Sequence, residues 1–163
     1  MSESYSITEI HENLTGVSVD LHYLYWDTTR ELQMTRSENF DLTPLEIIIQ
    51  LRQIGEVYAS RVKRIVDRQE DEPLPFIHEF DENKQLNSVD IEAENVKYNL
   101  GKFIEARSNL INKISFLDEV EWDSLKGNHE KEGEISLKEL LTPLVSREKK
   151  AISDLKTMIG ISL

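Results

Sequence analysis

The sequence predicts an all-α fold, a four-helix bundle in which two long loops connect the helices. Four segments place apolar residues three or four positions apart, which is the spacing of one face of an α-helix. Each of these segments opens with a residue that can cap a helix. No segment keeps the alternation of a β-strand outside a helical pattern, so we expect no sheet.

Length and charge exclude several classes of protein. The 163 residues predict a single domain over residues 1–163, long enough for one core. The net charge of −12 argues against nucleic acid and anionic membrane surfaces as partners, since these are bound by clustered Lys and Arg. The absence of cysteine excludes disulfides and a thiol nucleophile. No apolar run approaches the roughly 18 residues of a membrane span, and no signal peptide is recognisable, so we expect a cytoplasmic protein.

The first helix is predicted to begin after Ser6, which forms a capping box with Glu9, and to end near Met34. Its apolar residues follow a heptad pattern that suits packing against other helices. These seam residues are Ile7, Ile10, Leu14, Val17, Leu21 and Leu24. The same seam could also join two copies of the chain, so a homodimer is one expectation.

The second helix is predicted to begin after Thr43, with Pro44 in the first helical position and Glu46 as the acid of a capping box. It is expected to end near Gln69, because the prolines that follow cannot continue it. Residues 70–87 then form a long acidic loop. A long loop inside a compact domain is often functional, although this one could also simply cover an edge of the core.

The third helix is predicted to begin near Asn87 or Ser88 and to end near Phe116. Arg107 lies on its apolar face. A buried arginine needs a partner, and Glu148 is the acid we expect to pair with it. The alternative is that Arg107 extends from the margin of this face into solvent.

Residues 118–135 form the second long loop, in which Trp122 is expected to anchor a lid on the end of the bundle. The fourth helix is predicted to begin after Ser136, whose capping box is completed by Glu139. The apolar face of this helix is interrupted over residues 147–151. The polar side chains there either extend into solvent or face a partly open interior.

Two histidines could take part in chemistry. His78 and His129 both lie in predicted loops and both precede a glutamate. If the loops meet, these four side chains could hold a divalent metal ion; otherwise the histidines are ordinary surface residues. No phosphate-binding glycine loop, serine-nucleophile elbow or helical metal-binding histidine pair is present.

Three stretches resemble the DinB-like (YfiT-like) superfamily of bacterial four-helix bundles. TPLEIIIQLRQIGEVYASRV resembles the second helix of the family and NLGKFIEARSNLINKI the third, while EVEWDSLKGNHEKEGEISLKELLTPLVSREKK resembles the tryptophan, polar loop and fourth helix. The resemblance covers about residues 40–160 and implies a bundle that binds zinc or nickel through three histidines. In this chain those three positions fall on Gln50, Arg147 and Ala151, while the glutamate of the family is retained as Glu148.

The resemblance leads to two interpretations of function. In the first, the chain binds no metal and no cofactor and is not an enzyme. A remnant pocket of Gln50, Arg107, Arg147, Glu148 and Ala151 then takes a small molecule or anion, or mediates an interaction. In the second, the chain is a metal-dependent thiol transferase or hydrolase. Its zinc or nickel ion has then moved to a site built around His78 and His129.

Overall fold

In the computed structural model, residues 4–160 are described and contain seven α-helices, one short 3-10 helix and three short β-strands. Four long helices form the bundle, and the other elements lie in the segments that connect them. The helices are α1 (Ile7–Tyr25), α2 (Arg30–Gln33), α3 (Pro44–Val66), α4 (Glu82–Asn87), α5 (Val96–Ile114), α6 (Glu119–Ser124) and α7 (Leu137–Ile159). The strands are β1 (Phe76–Ile77), β2 (Lys126–His129) and β3 (Gly133–Ser136), and the 3-10 helix is Ile91–Ala93.

The predicted all-α bundle is confirmed, and three of its long helices begin where the sequence predicts. The capping boxes of Ser6, Thr43 and Ser136 are all formed, each with the glutamate three residues further on. In each box the hydroxyl accepts from a backbone N–H and the carboxylate accepts in return. Local sequence alone is therefore enough to start these helices.

Two predicted helix boundaries are wrong. The first helix ends at Tyr25 rather than near Met34, because Thr29 caps the separate helix α2 by accepting from the N–H of Leu32. The third long helix begins at Val96 rather than near residue 87. Asn95 caps it, while residues 82–93 form α4 and the 3-10 turn instead.

The expectation of no sheet is also wrong. Strand β1 pairs in parallel with β2, and β2 pairs with β3 in an antiparallel hairpin. Gly133 closes the hairpin with a φ of 74°, a left-handed conformation that favours glycine. Strands of two to four residues are too short to show alternation in the sequence, so only pairing between the two predicted loops reveals them.

The long helices pack as two parallel pairs. Helices α3 and α5 run in the same direction: the Nε of Arg52 donates to Asn99 at 2.7 Å near their starts, and Lys113 pairs with Asp67 at 2.7 Å near their ends. A parallel neighbour needs a connection that returns along its length, which explains the 29 residues between α3 and α5.

Helices α1 and α7 form the second parallel pair. The hydroxyl of Tyr5, just before α1, lies 3.3 Å from that of Ser146 in the middle of α7. Asp20 and Lys156, both later in their helices, border one groove, so the two helices run in the same direction. Helix α7 runs antiparallel to α3, because Arg147 meets the beginning of α3 and the start of α7 lies beside its later turns. The order is thus up, down, down, up.

The apolar seam of α1 is buried inside the bundle of its own chain. Its residues Ile10, Leu14, Val17, Leu21 and Leu24 belong to two hydrophobic clusters that also contain residues of α3, α5 and α7. The seam is therefore not available to join two copies, which removes the reason for which the sequence suggested a dimer. Among residues 4–160, no helix combines the length and the hydropathy that crossing a bilayer requires.

Candidate functional site

A buried salt bridge connects three of the long helices. Arg107 on α5 donates from Nη1 to Glu148 Oε1 on α7 at 2.9 Å, and from Nη2 to Glu148 Oε2. Nη1 also donates to the carbonyl of Leu14 on α1 at 2.9 Å. The guanidinium lies over the ring of Phe103 at 4.9 Å from its centroid. The pairing of Arg107 with Glu148 that the sequence suggested is therefore confirmed, and the extended, solvent-exposed alternative is wrong.

Burial dominates the electrostatics of this pair. Both side chains are only 4% exposed. Burial raises the pKa of the Glu148 carboxyl above its ordinary value, while the guanidinium groups of Arg107 and Arg147 oppose that rise. The Nε of Arg107 is buried without a hydrogen-bond partner. Glu148 therefore forms a salt bridge with Arg107, and the charge of Arg147 stabilises its ionised form without direct contact.

Arg147 forms a separate polar network one residue away on α7. Its Nε donates to Glu82 Oε1 on α4 and its Nη2 donates to Gln50 Oε1 on α3, both at 2.9 Å. The buried amide of Gln50 in turn donates to Asn83 Oδ1 at 3.2 Å. The network therefore ties the acidic connection between α3 and α5 to the middle of the bundle.

The five residues of the expected remnant pocket divide into three groups. Gln50 and Arg147 hydrogen-bond to each other, and Arg107 and Glu148 form the buried salt bridge. Ala151 is 1% exposed and packs in the hydrophobic cluster between α1, α3 and α7. Glu148 borders a cavity between α1 and α7, whereas Arg147 borders a different one between α3 and α7.

The positions that the resemblance assigns to metal ligands do not fit a metal ion. The amide oxygen of Gln50 already accepts from Arg147. Arg147 carries a fixed positive charge and no free lone pair, and Ala151 has no donor atom at all. Metal chemistry at this place in the bundle is therefore not supported by the side chains present.

An open cavity of about 360 Å³ lies between α3, α7 and the small sheet, and we call it the interhelix cleft. Part of its lining is apolar and includes Ile54, Leu140 and Leu144. The polar part of the lining carries both charges and consists of Tyr58, Arg61, Glu79, Glu82, His129, Glu132, Glu139 and Arg147. Pro143 also borders the cleft and lacks an N–H, so the carbonyl of Glu139 has no helical donor at residue 143.

His129 is oriented against metal binding. Its Nδ1 accepts from the backbone N–H of Lys131 at 3.1 Å and of Glu132 at 3.3 Å. In a neutral imidazole the proton must then lie on Nε2, so this nitrogen is a hydrogen-bond donor. A metal-binding histidine usually has the opposite arrangement, in which the second nitrogen donates to an acceptor.

His78 directly follows β1, whose last residue Ile77 pairs with His129. Its carbonyl accepts from Arg61, and its ring packs edge-on against Phe76 with centroids 4.7 Å apart. Within residues 4–160, no group of three or more His, Asp or Glu side chains is arranged to hold a metal ion. The two predicted loops, residues 70–87 and 118–135, do lie side by side, but their contact forms the small sheet rather than a metal site.

Sequence reasoning missed three residues of this region. Glu82, the partner of Arg147, falls in the predicted loop 70–87, although Asp81 before it is a good helix cap and does cap α4. Tyr58 and Arg61 lie in the second predicted helix, and no motif in the sequence marks them as site residues. The guanidinium of Arg61 lies 5.0 Å from the centre of the Tyr58 ring, and both border the cleft.

The fold and the site define a four-helix bundle with an up-down-down-up order and arginine-centred networks in place of a histidine centre. Among solved structures, YfiT from Bacillus subtilis matches 98% of this chain and 93% of its own, with a TM-score of 0.77 and 18% sequence identity. It is described as "a probable metal-dependent hydrolase with an unusual four-helix bundle topology". The fold is therefore of the DinB/YfiT type, as the resemblance predicts. No family model and no curated protein matches the sequence.

Proposed function

We propose that this chain is a metal-independent binding protein and that its ligand is a small organic carboxylate held in the interhelix cleft. The main support is that two guanidinium groups, those of Arg61 and Arg147, border a 360 Å³ cleft that is lined in part by apolar side chains. Of the four carboxylates that also line the cleft, Glu82 is already paired with Arg147. The volume of the cleft lies at the lower end of small-molecule sites. The Nη1 of Arg147 can give a carboxylate a charge-assisted hydrogen bond, and the apolar part of the lining suits a short carbon chain.

The proposed binding needs no metal ion, unlike the probable metal-dependent hydrolysis described for YfiT. Arg147 and Gln50 hydrogen-bond to each other where the resemblance expects metal ligands, and His129 presents a donor rather than a lone pair. The nitrogen Nη1 of Arg147 is free of the hydrogen bonds that the other two nitrogens make. A carboxylate could therefore bind there without displacing Glu82.

We expect calorimetric titration with succinate to detect binding, and Arg147→Gln to weaken it about tenfold, the effect of one lost charge-assisted hydrogen bond. The matched control is Lys150→Gln on the same helix, whose side chain is 71% exposed and pairs with Asp154. It should leave the affinity unchanged.

Metal content is measured on the same untagged protein after loading with zinc and nickel. Washable, substoichiometric metal agrees with the proposal. One tightly held metal ion per chain would contradict it and favour the metal-dependent transferase or hydrolase. Equal succinate affinity in the two variants would contradict the binding site at Arg147.

A second candidate function, interaction with a further protein chain, is favoured by a row of exposed apolar side chains on α1. Val19, Tyr23 and Trp26 recur at four- and three-residue spacing and are 70%, 59% and 71% exposed. They lie on the face of α1 opposite the buried seam. If the chain forms the homodimer that we expected from the sequence, this row rather than the seam would join the copies.

Sedimentation equilibrium over a range of concentrations tests this candidate. We expect a dimer that Trp26→Ala converts to monomer, because large aromatic side chains contribute much of the binding energy of protein interfaces. Phe116→Ala is the matched control, since Phe116 is 90% exposed and lies at the C-terminal end of α5. A protein that is monomeric at all concentrations would leave only the binding function.

A further inference from the structure

The interhelix cleft contains two carboxylates that have no cationic partner. Four glutamates line the cleft, and two of them pair with Arg147 and Lys131. The other two, Glu132 and Glu139, form no salt bridge within residues 4–160. Both of these side chains are exposed, so an ammonium group bound beside them would keep part of its water.

Arg61 also lines the cleft, but it is engaged elsewhere. Its Nη2 donates to the carbonyl of His78. Burial lowers the pKa of Arg61, while Tyr58 and the carboxylate of Glu79 oppose that fall. The two carboxylates without a salt bridge therefore remain as acceptors for a positive group.

Helix α7 places an acidic and a basic side chain at opposite ends of one wall of the cleft. Glu139, Pro143 and Arg147 recur every four residues, so they lie on one face of the helix, and all three border the cleft. The rise of an α-helix puts Glu139 about 12 Å from Arg147 along the axis. The apolar side chains of Leu140 and Leu144 line the cleft between these two ends.

The backbone adds a further acceptor at the acidic end. Pro143 has no N–H, so the carbonyl of Glu139 lacks its usual helical donor. The carboxylate of Glu139 accepts through Oε1 from the N–H of Ser136 at 3.1 Å, which leaves Oε2 for another donor. An ammonium group, which only donates, would therefore meet a carboxylate oxygen and a carbonyl oxygen at this end.

We infer that the interhelix cleft binds a linear ω-amino carboxylate, in which a short methylene chain joins a carboxylate to an ammonium group. The inference rests on the proposed function, because the carboxylate stays on Nη1 of Arg147. The ammonium group lies at Glu139 and Glu132, and the methylene chain packs on Leu140 and Leu144. Hydrogen bonds of about 3 Å at each end leave about 6 Å for the ligand, which a chain of about four methylenes spans.

Calorimetric titration at pH 7 and low ionic strength tests the inference with three probes that share a carboxylate on a chain of four carbons. This chain ends in an ammonium group in 5-aminopentanoate, in a methyl group in pentanoate and in a second carboxylate in adipate. We expect 5-aminopentanoate to bind about threefold more tightly than pentanoate, the effect of one exposed ion pair. Adipate should bind most weakly, because its second carboxylate meets charges of its own sign. The opposite order would overturn the inference.

A charge variant tests the acidic end directly. Glu139→Gln removes the charge and keeps the helix start, because glutamine also completes a capping box. It should weaken 5-aminopentanoate about threefold and leave pentanoate unchanged. The matched control is Glu134→Gln in β3, since Glu134 is exposed and does not border the cleft. Equal affinities of the two variants for 5-aminopentanoate would overturn the inference.

Failure of this inference can be told from failure of the proposed function. If Arg147→Gln weakens pentanoate but the ammonium group adds no affinity in the parent chain, the cleft binds carboxylates as proposed and only the inference is overturned. If pentanoate and succinate bind as well to Arg147→Gln as to the parent chain, the proposed function fails, and the inference fails with it.

Discussion

Substituting Arg107 by Met is expected to lower the free energy of unfolding by about 3–5 kcal/mol at pH 7. The change leaves the carboxylate of Glu148 buried at 4% exposure without its partner, and the carbonyl of Leu14 loses a donor. Urea denaturation followed by circular dichroism measures the effect. The loss should be smaller at acidic pH, because burial then favours the protonated form of Glu148 and removes the unpaired charge.

Two comparisons make this prediction specific. The double variant Arg107→Met with Glu148→Leu should recover most of the loss, since a buried ion pair can be replaced by apolar side chains at little cost. Lys102→Met on the same helix removes an exposed pair with Glu105 and should change stability by less than about 1 kcal/mol. A double variant as unstable as the sum of its single changes would contradict the prediction.

Substituting Trp122 by Ala should lower the free energy of unfolding by about 3–5 kcal/mol, the range for removing a large buried aromatic side chain. Trp122 is 2% exposed and belongs to the hydrophobic cluster that contains Ile114, Leu137 and Leu141. Helix α6 thus closes the end of the bundle, as the sequence suggested for this tryptophan. Thermal and urea unfolding of the variant measure the loss.

The matched control is Trp26→Ala, because Trp26 is 71% exposed. At a protein concentration too low for association, this variant should differ from the parent by no more than about 0.5 kcal/mol. A loss for Trp122→Ala as small as that expected for Trp26→Ala would show that the end of the bundle does not depend on Trp122. The pair of variants therefore separates burial from residue type.

Much of the bundle could be predicted from the sequence because its signals are local. The hydroxyls of Ser6, Thr43 and Ser136 bond to backbone groups three residues away, so a short stretch of sequence contains the whole interaction. The apolar faces follow from helical periodicity in the same way. The partnership of Arg107 with Glu148 could also be inferred, because a charge on an apolar face needs a partner on a facing helix.

Other features depend on residues that are distant in the chain. Arg147 donates to Glu82, which lies 65 residues earlier in the chain. The two side chains meet only because the packing of the bundle brings α4 beside α7. The sheet exists only because residues 76–77 lie beside β2, and no two-residue strand has a periodicity of its own. The same holds for Arg61 and Arg64, which donate to the carbonyls of His78 and Phe76 in the connection after α3.

The sequence by itself determined the helical class, the starts of three long helices and which faces are buried. These depend on interactions within a few residues. Only the tertiary structure decided the parallel pairing of helices, the sheet, and the partners of Arg147, Arg61 and Arg64. Each of these is a contact between segments whose approach is set by the packing of the whole bundle, which local spacing does not contain.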